Sequence, residues 1–525
     1  MRNSIWCAVL IGVSVASGVS AAQNETKQKL MPGSMPKIAT VDARFLSYNI
    51  EMVEVTGGRF WAPYASAGAQ ALKAPPDPNM PAGIDPNLFQ YRKPIDLGNA
   101  RLRKLSSALG PAYVRVSGTW ANSSFFQDND ESAPGQPPEG FRGVLTRAEW
   151  KGVIDFSDAA DAQIVTSVAI SSGARSKEGV WTPELAKALF DYTRKAGGTI
   201  AAIEFMNEPT IPGAGNAPKG YDAEAFARDA KLFGTFLRKE SPKTLYLGPG
   251  GVGEGAEGLI SPRFKMNMIK SEDILKGTGP IFDAFSYHFY GSVSKRCGGT
   301  MTVEKSLTPE WLGSTDKSEE YYAQLRDTYI PAKPMWLNET AEAACGGDLL
   351  AAQFVDTFRF VNQLGTLAQK GVKVVMHNTL AASDYGLLDE STLEPRPDYW
   401  AGVLWKRMMG TTVLKPQAQS DASVRVYALC MRDVPGGVAM VAMNTDGKAK
   451  HSIAISTPAE RYTLTSDALT SNAVSLNGVV LHANADGSLP ALNNQHVKAG
   501  RIELDPVSIA FLAVPLAKNP ACTSK

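Results

Sequence analysis

The chain holds 525 residues, of which 53 are lysine or arginine and 52 are aspartate or glutamate. That length admits a large barrel plus one smaller domain. Near-neutral charge and an ordinary apolar fraction exclude a disordered chain, and they leave no electrostatic footprint for nucleic acid or an anionic membrane surface.

The first 22 residues read as a secretory signal peptide. Arg2 is the positive start, residues 5–15 are apolar, and Val19-Ser20-Ala21 is a small-residue cleavage site. The apolar run is too short, and too broken by Gly and Ser, for a spanning anchor. No later stretch is apolar enough to cross a bilayer, so an exported protein, secreted or periplasmic, is expected. Residues 23–44 read as an extended segment and a candidate extra strand for a β-domain further along.

Residues 45–410 alternate between strand-like and helical patterns. Strands are expected at 45–51, 113–117, 163–170, 199–207, 244–248, 282–290, 333–338 and 372–377. Several are nearly continuous runs of Val, Ile, Phe and Tyr, as strands buried on both faces require. Helical periodicity lies between them at 96–109, 147–160, 183–196, 222–240 and 349–370. This α/β alternation predicts a (β/α)8 TIM barrel. A doubly wound sheet fits less well: no Gly-rich phosphate turn follows the first strand, and the ninth apolar segment, 399–409, is helical. Insertions rich in Pro, Gly, Asp and Asn fall at 62–94 and 128–143, where loops on the carboxyl face shape a cleft. They either close such a cleft into a pocket or leave it open.

Past Gly410 the pattern changes to short alternating runs at 424–430, 437–444, 451–455, 462–465, 502–504 and 508–514. Residues 411–525 are therefore expected to form an all-β sandwich domain. Cys7 leaves with the signal, and Cys297, Cys345, Cys430 and Cys522 remain. Three pairings are open, as are four free buried thiols. The expected bridges are Cys297 to Cys345 at the barrel mouth and Cys430 to Cys522 in the β-domain. With no C-x-x-C spacing and only five histidines in the chain, no metal site and no cofactor are expected.

The chemistry rests on two glutamates. Glu208, in Asn207-Glu208-Pro209, follows the fourth strand. Glu339, after Trp336-Leu337-Asn338, follows the seventh. Strand tips four and seven lie on opposite sides of an eight-stranded ring, so the two carboxyls can flank a sugar. Read singly, each also fits a bland role, such as a helix cap beside a proline. Tyr290 ends the sixth strand, where its hydroxyl can hold the Glu339 carboxylate ionised and oriented. Glu208, as the acid, then needs a raised pKa.

These residues resemble glycoside hydrolase family 79, the heparanase-like β-glucuronidases. The resemblance runs from about Val41 to Val514. It rests on Phe45-Leu46-Ser47, Pro111-Ala112-Tyr113-Val114-Arg115-Val116-Ser117-Gly118-Thr119, Asn207-Glu208-Pro209, His288-Phe289-Tyr290 and Trp336-Leu337-Asn338-Glu339-Thr340. It continues through Cys345-Gly346-Gly347, Tyr385-Gly386-Leu387-Leu388-Asp389-Glu390 and Pro397-Asp398-Tyr399-Trp400. It implies retaining cleavage of β-linked glucuronic acid in a glycan or glucuronide, with Glu208 as acid/base and Glu339 as nucleophile. Asn207 would contact the 2-hydroxyl, Tyr290 the nucleophile, and Glu51 with Thr119 other hydroxyls. Tyr385 and the amides of Gly346 and Gly347 would hold the glucuronate carboxylate. The Cys430–Cys522 pairing also agrees with a bridge of the family's β-domain.

Two departures stand out. Glu51 replaces the family's usual aspartate, and Ala341-Glu342-Ala343-Ala344-Cys345 carries no tyrosine ahead of Gly346. The animal enzymes' heparin-binding clusters are also missing, so a lightly charged glucuronide is the expected substrate. The alternatives are a related barrel hydrolase acting on a 4-O-methylglucuronide or xyloside, and an inactive carbohydrate-binding protein.

Overall fold

A computed structural model describes residues 29–64, 88–255, 268–419 and 421–523. The signal-like residues 1–22 and most of the insertion at 62–94 lie outside them. Eight strands close into one parallel barrel: β1 (Leu46–Glu51), β2 (Ala112–Ser117), β3 (Ala162–Ser167), β4 (Ile200–Glu204), β5 (Leu245–Gly251), β6 (Ala284–Val293), β7 (Met335–Ala344) and β8 (Val374–His377). Each pairs with its successor, and β8 closes onto β1 through Val375 opposite Leu46. The fold is the expected (β/α)8 barrel.

The alternation of side chains along each strand divides the core in two. Inward positions Tyr113, Val165, Ala202, Leu247, Ala284, Trp336, Val374 and Met376 fill the barrel interior, with the rings of Tyr113 and Trp336 4.9 Å apart. Outward positions such as Tyr48, Val114, Ile203 and Leu337 pack beneath the helices, including Phe358, Val361 and Leu364 of Phe354–Lys370. Burying each such side chain is worth about 1.5–3 kcal/mol. The inner layer forms a dry floor, and any chemistry must sit above it at the carboxyl ends.

Strands β6 and β7 overrun their expected ends at Tyr290 and Asn338. They stay paired up to Val293 opposite Ala344, so Glu339 and Tyr290 stand inside long strands and not at loop entries. The run Ala341-Glu342-Ala343-Ala344, which carries little apolar bulk, hid this extension. β7 also carries a bulge. Leu337 pairs with Tyr287, yet Glu339 pairs with the next residue, His288. Asn338 is the extra residue.

Nine further strands build an antiparallel sheet in the order Lys37–Thr40, Met409–Leu414, Val424–Met431, Val438–Asn444, Ser508–Val514, Ala459–Thr465, Ser475–Leu476 and Val479–Val480, with Gln495–Val497 also paired to Ala459–Thr465. A two-stranded sheet, His451–Ile455 with Gly500–Leu504, covers its outer face over Leu414, Met440, Ile453, Ile502 and Leu512. The segment ahead of β1 supplies the first strand and pairs with Met409–Leu414. The sheet is pinned to the barrel where Tyr427 donates to Asn362 of Phe354–Lys370 at 2.7 Å. Disulfides join Cys297 to Cys345 and Cys430 to Cys522. No helix among the described residues is long and apolar enough to cross a membrane.

Candidate active site

The Asn338 bulge aims the nucleophile candidate. Trp336 points into the barrel and Leu337 out to the helices. Without an extra residue Glu339 would point out as well. The bulge reverses the phase. Glu339 turns to the axis, and Thr340 turns out to the helix layer, within 3.4 Å of Gln363.

Glu208 reaches the site differently. It follows β4 in a turn with φ +49°, a strained conformation for a side-chain-bearing residue and one that functional sites retain. Asn122 clamps that turn on both sides: it donates to the Asn207 carbonyl at 3.0 Å and accepts from the Asn207 amide at 2.9 Å.

Between the two carboxyls lies a buried polar network. Arg115, on β2, donates to Glu339 at 2.7 Å, to Glu204 at 2.9 Å and to the Asn207 side chain at 2.7 Å. His288, on β6, places Nδ1 3.1 Å from Glu208 and 3.6 Å from Glu339. Tyr290 donates to the other Glu339 oxygen at 2.7 Å, and Asn378 donates to the Tyr290 hydroxyl at 3.0 Å. The expected Tyr290–Glu339 pair is therefore present.

Arg115, His288, Glu204 and Asn378 join the site without having stood out in the sequence. A signal for Arg115 existed: a charge between Val114 and Val116, in phase with inward-facing Tyr113, has nowhere to go but the barrel axis.

This network separates the two carboxyls electrostatically. For Glu208, burial is the main cause that pushes the pKa up; the hydrogen bond from His288 opposes it and the Glu339 charge adds to it. For Glu339, burial also pushes up, but His288, Arg115 and the Tyr290 hydrogen bond outweigh it and hold the carboxyl below its ordinary range. One group is thus biased to keep its proton and the other to lose it. Ligand-type atoms of Glu208, His288 and Glu339 lie within 4.8 Å of one another. The fixed positive charge of Arg115 beside them suits an acid–base pair and works against a bound cation.

Glu51, Thr119, Glu208, Tyr290, Glu339 and Tyr385 all line one pocket, together with Cys345. Asn207 lies beneath it, held by Arg115 and Asn122. Glu51 ends β1, with one carboxyl oxygen unpartnered among the described residues, and burial followed by the Glu339 charge raises its pKa well above the carboxylate range. Gly346 and Gly347 do not line the pocket themselves. They follow Cys345 with φ +79° and +81° and pack against Trp61 and Tyr385, two of its walls. A side chain at Gly346 would collide with Trp61, and one at Gly347 would be strained by its positive φ.

A barrel that carries a proton-holding carboxyl just past β4 and a proton-losing one within β7 is the architecture of a glycoside hydrolase. Residues 93–365, just over half of the chain, match the glycosyl hydrolase family 79 N-terminal domain. The chain belongs to that family. It is 27% identical over 498 residues to heparanase of Bos taurus, covering 83% of this chain and 87% of that protein. Heparanase-like protein 1 of Arabidopsis thaliana is 24% identical over 488 residues, with 82% and 86% covered. Baicalin-beta-D-glucuronidase of Scutellaria baicalensis is 33% identical over a shorter stretch of 189 residues, 34% of this chain and 36% of that one. Among solved structures, a 4-O-alpha-L-rhamnosyl-beta-D-glucuronidase of Fusarium oxysporum superposes with a TM-score of 0.61 at 11% identity, over 92% of this chain and 99% of that one. At that identity the likeness speaks to the fold alone.

Proposed function

We propose that this glycoside hydrolase cleaves β-linked glucuronic acid with retention, from glucuronides or lightly charged glycans. The observation that carries the proposal is the opposed bias of Glu208 and Glu339, whose facing atoms lie within 4.8 Å. Retaining enzymes hold their carboxyls about 5–5.5 Å apart, whereas inverting ones leave room for a water between them.

In the first step the Glu339 carboxylate attacks the anomeric carbon while Glu208 gives its proton to the departing oxygen. The aglycone leaves as an alcohol, and the sugar stays esterified to Glu339. Glu208, now a carboxylate, takes a proton from water as that water attacks the same carbon. Glu339 departs as a carboxylate, and both groups return to their starting states. Arg115 and Tyr290 keep the nucleophile ionised in between. For the sugar, Glu51 and Thr119 offer hydroxyl partners. Tyr385 offers a phenol hydrogen bond for a carboxylate without a paired cation, whereas Gly346 and Gly347, set behind the lining residue Cys345, shape that wall and do not reach the sugar. The Scutellaria relative, a β-D-glucuronidase by name, supports the same glycone. The signal-like first 22 residues and the two disulfides support export.

The test is azide rescue. On an aryl β-glucuronide, Glu208→Ala with azide is expected to give β-glucuronosyl azide, and Glu339→Ala the α-anomer. Identical anomers from both variants, or activity surviving in Glu339→Ala without azide, would overturn the assignment.

A further inference from the structure

The pocket has two chemically distinct walls. On the β1 and β2 side stand Phe60, Trp61, Trp120 and Tyr385, with Glu51 and Thr119 among them. On the other side stand Ile211, Ala214 and Val252, which form a separate buried aliphatic cluster. Tyr290 packs against both clusters, so the divide falls at the nucleophile's hydrogen-bond partner.

The aliphatic wall hangs on the turn that carries Glu208. The Ile211 amide donates to the Glu208 carbonyl at 3.1 Å, and the Ala214 amide to the Ile211 carbonyl at 3.1 Å. Thr210 locks Val252 to that turn, donating to its carbonyl at 3.1 Å and accepting from its amide at 3.0 Å. The Ile269 amide donates to the Thr210 carbonyl at 2.9 Å, which brings Met268 against the cluster. A general acid must face the departing oxygen, so side chains borne on its own turn flank the leaving group. Among the described residues, every charged side chain lining the pocket is a glutamate: Glu51, Glu208 and Glu339.

We infer that Ile211, Ala214, Val252 and Met268 form a leaving-group subsite selecting an uncharged, apolar aglycone such as a phenolic ring, and rejecting an anionic one. The inference rests on the glucuronidase reading above and adds the class of leaving group. An apolar ring gains by leaving water against these methyl groups. A sulfate or carboxylate placed there loses hydration, meets no cation among the described residues, and faces the Glu339 carboxylate.

The experiment compares two β-glucuronides of the same shape, 2-sulfamoylphenyl (neutral) and 2-sulfophenyl (anionic), in wild type and in Val252→Lys and Met268→Lys. The ratio of kcat/KM for neutral over anionic substrate is read within each enzyme, which cancels differences in the amount of folded protein. Wild type is expected to favour the neutral substrate by about tenfold or more, equivalent to about 1.4 kcal/mol, and each lysine to lower the ratio at least fivefold. Met268 is partly exposed, so its lysine is accommodated even if the buried one disrupts folding. Equal rates in wild type, or a ratio that neither lysine moves, would overturn the inference while the glucuronidase reading stands. Absence of turnover on both glucuronides and on an unsubstituted phenyl β-glucuronide would overturn that reading and the inference with it.

Discussion

Arg115 and Glu339 meet at the barrel axis, guanidinium to carboxylate at 2.7 Å, although 224 residues separate them in sequence. The contact exists because two local patterns coincide. Arg115 keeps the inward phase of β2, and the Asn338 bulge turns Glu339 inward from β7. Both side chains are almost wholly buried, and Arg115 holds Glu204 as well.

Arg115→Met removes the guanidinium that serves both Glu204 and Glu339. Leaving a buried charge unpartnered costs about 3–5 kcal/mol, so the variant is expected to unfold at clearly lower denaturant. Arg115 also helps hold the Glu339 pKa down. Its loss lets that pKa rise, and the acid limb of the kcat/KM profile moves to higher pH. An acid limb that stays in place would show that Arg115 is structural only.

Tyr290→Phe deletes a single hydrogen bond to Glu339 and leaves the ring between the two pocket walls. Hydrogen bonds to charged groups are worth about 1.5–3 kcal/mol, so kcat is expected to fall by about ten- to a hundredfold. Folding stability should change little, because Asn378 loses only one acceptor. A fall in KM alone, with kcat intact, would contradict a role in holding the nucleophile.

Glu51 and Gly118 are matched to one another. Gly118 has φ +88°, and a Cβ there would overlap the Glu51 carboxyl. Gly118→Ala is expected to cost about 1–3 kcal/mol in backbone strain and to displace that carboxyl from the pocket. Glu51→Asp, one methylene shorter, withdraws the overlapping atom. In a double-mutant cycle the pair should therefore recover part of the kcat/KM that Gly118→Ala loses, with a coupling of at least about 0.5 kcal/mol. Strictly additive losses would mean that the glycine does not size the pocket for glutamate.

Much of this was legible in the chain, for physical reasons. Several of the barrel strands are nearly continuous apolar runs that a doubly buried sheet accommodates. Glu208 and Glu339 stand out as carboxylates beside such runs. The bulge at Asn338 was not legible, because a one-residue shift in pairing leaves no trace in composition. Nor could spacing reveal that Arg115 and His288 sit between the two glutamates, since that follows from barrel closure. The helices Ser271–Thr278 and Ser314–Tyr329 were missed because they carry many polar residues and pack only one narrow stripe. The helix expected at 349–370 begins instead as a short turn, Leu349–Ala352, with Gln353 extended before Phe354–Lys370. Asp348 explains that start: its carboxylate accepts from the Leu349 amide at 2.7 Å.

The same Asp348 joins the Gly346-Gly347 turn to a buried carboxyl three residues beyond Glu339. Its amide donates to Glu342 at 3.1 Å, while the other Glu342 oxygen has no partner among the described residues. Burial first, then the charges of Asp356 and Asp348, pushes Glu342 up to about 8. A carboxyl raised in the folded state binds its proton more tightly there than in the unfolded chain. Its stabilising effect is therefore complete below its ordinary value of 4.5 and is lost as pH climbs through about 8. Across that window the loss is on the order of a few kcal/mol, because a tenfold change in proton affinity corresponds to about 1.36 kcal/mol. Glu342→Gln keeps the shape and cannot ionise. Its guanidinium unfolding midpoint is expected to match or fall slightly below wild type at pH 5 and to exceed it at pH 9. Parallel curves for the two proteins from pH 5 to 9 would show that Glu342 does not carry the alkaline loss. A variant more stable at pH 5 and less stable at pH 9 would mean that Glu342 supports the fold as a carboxylate instead.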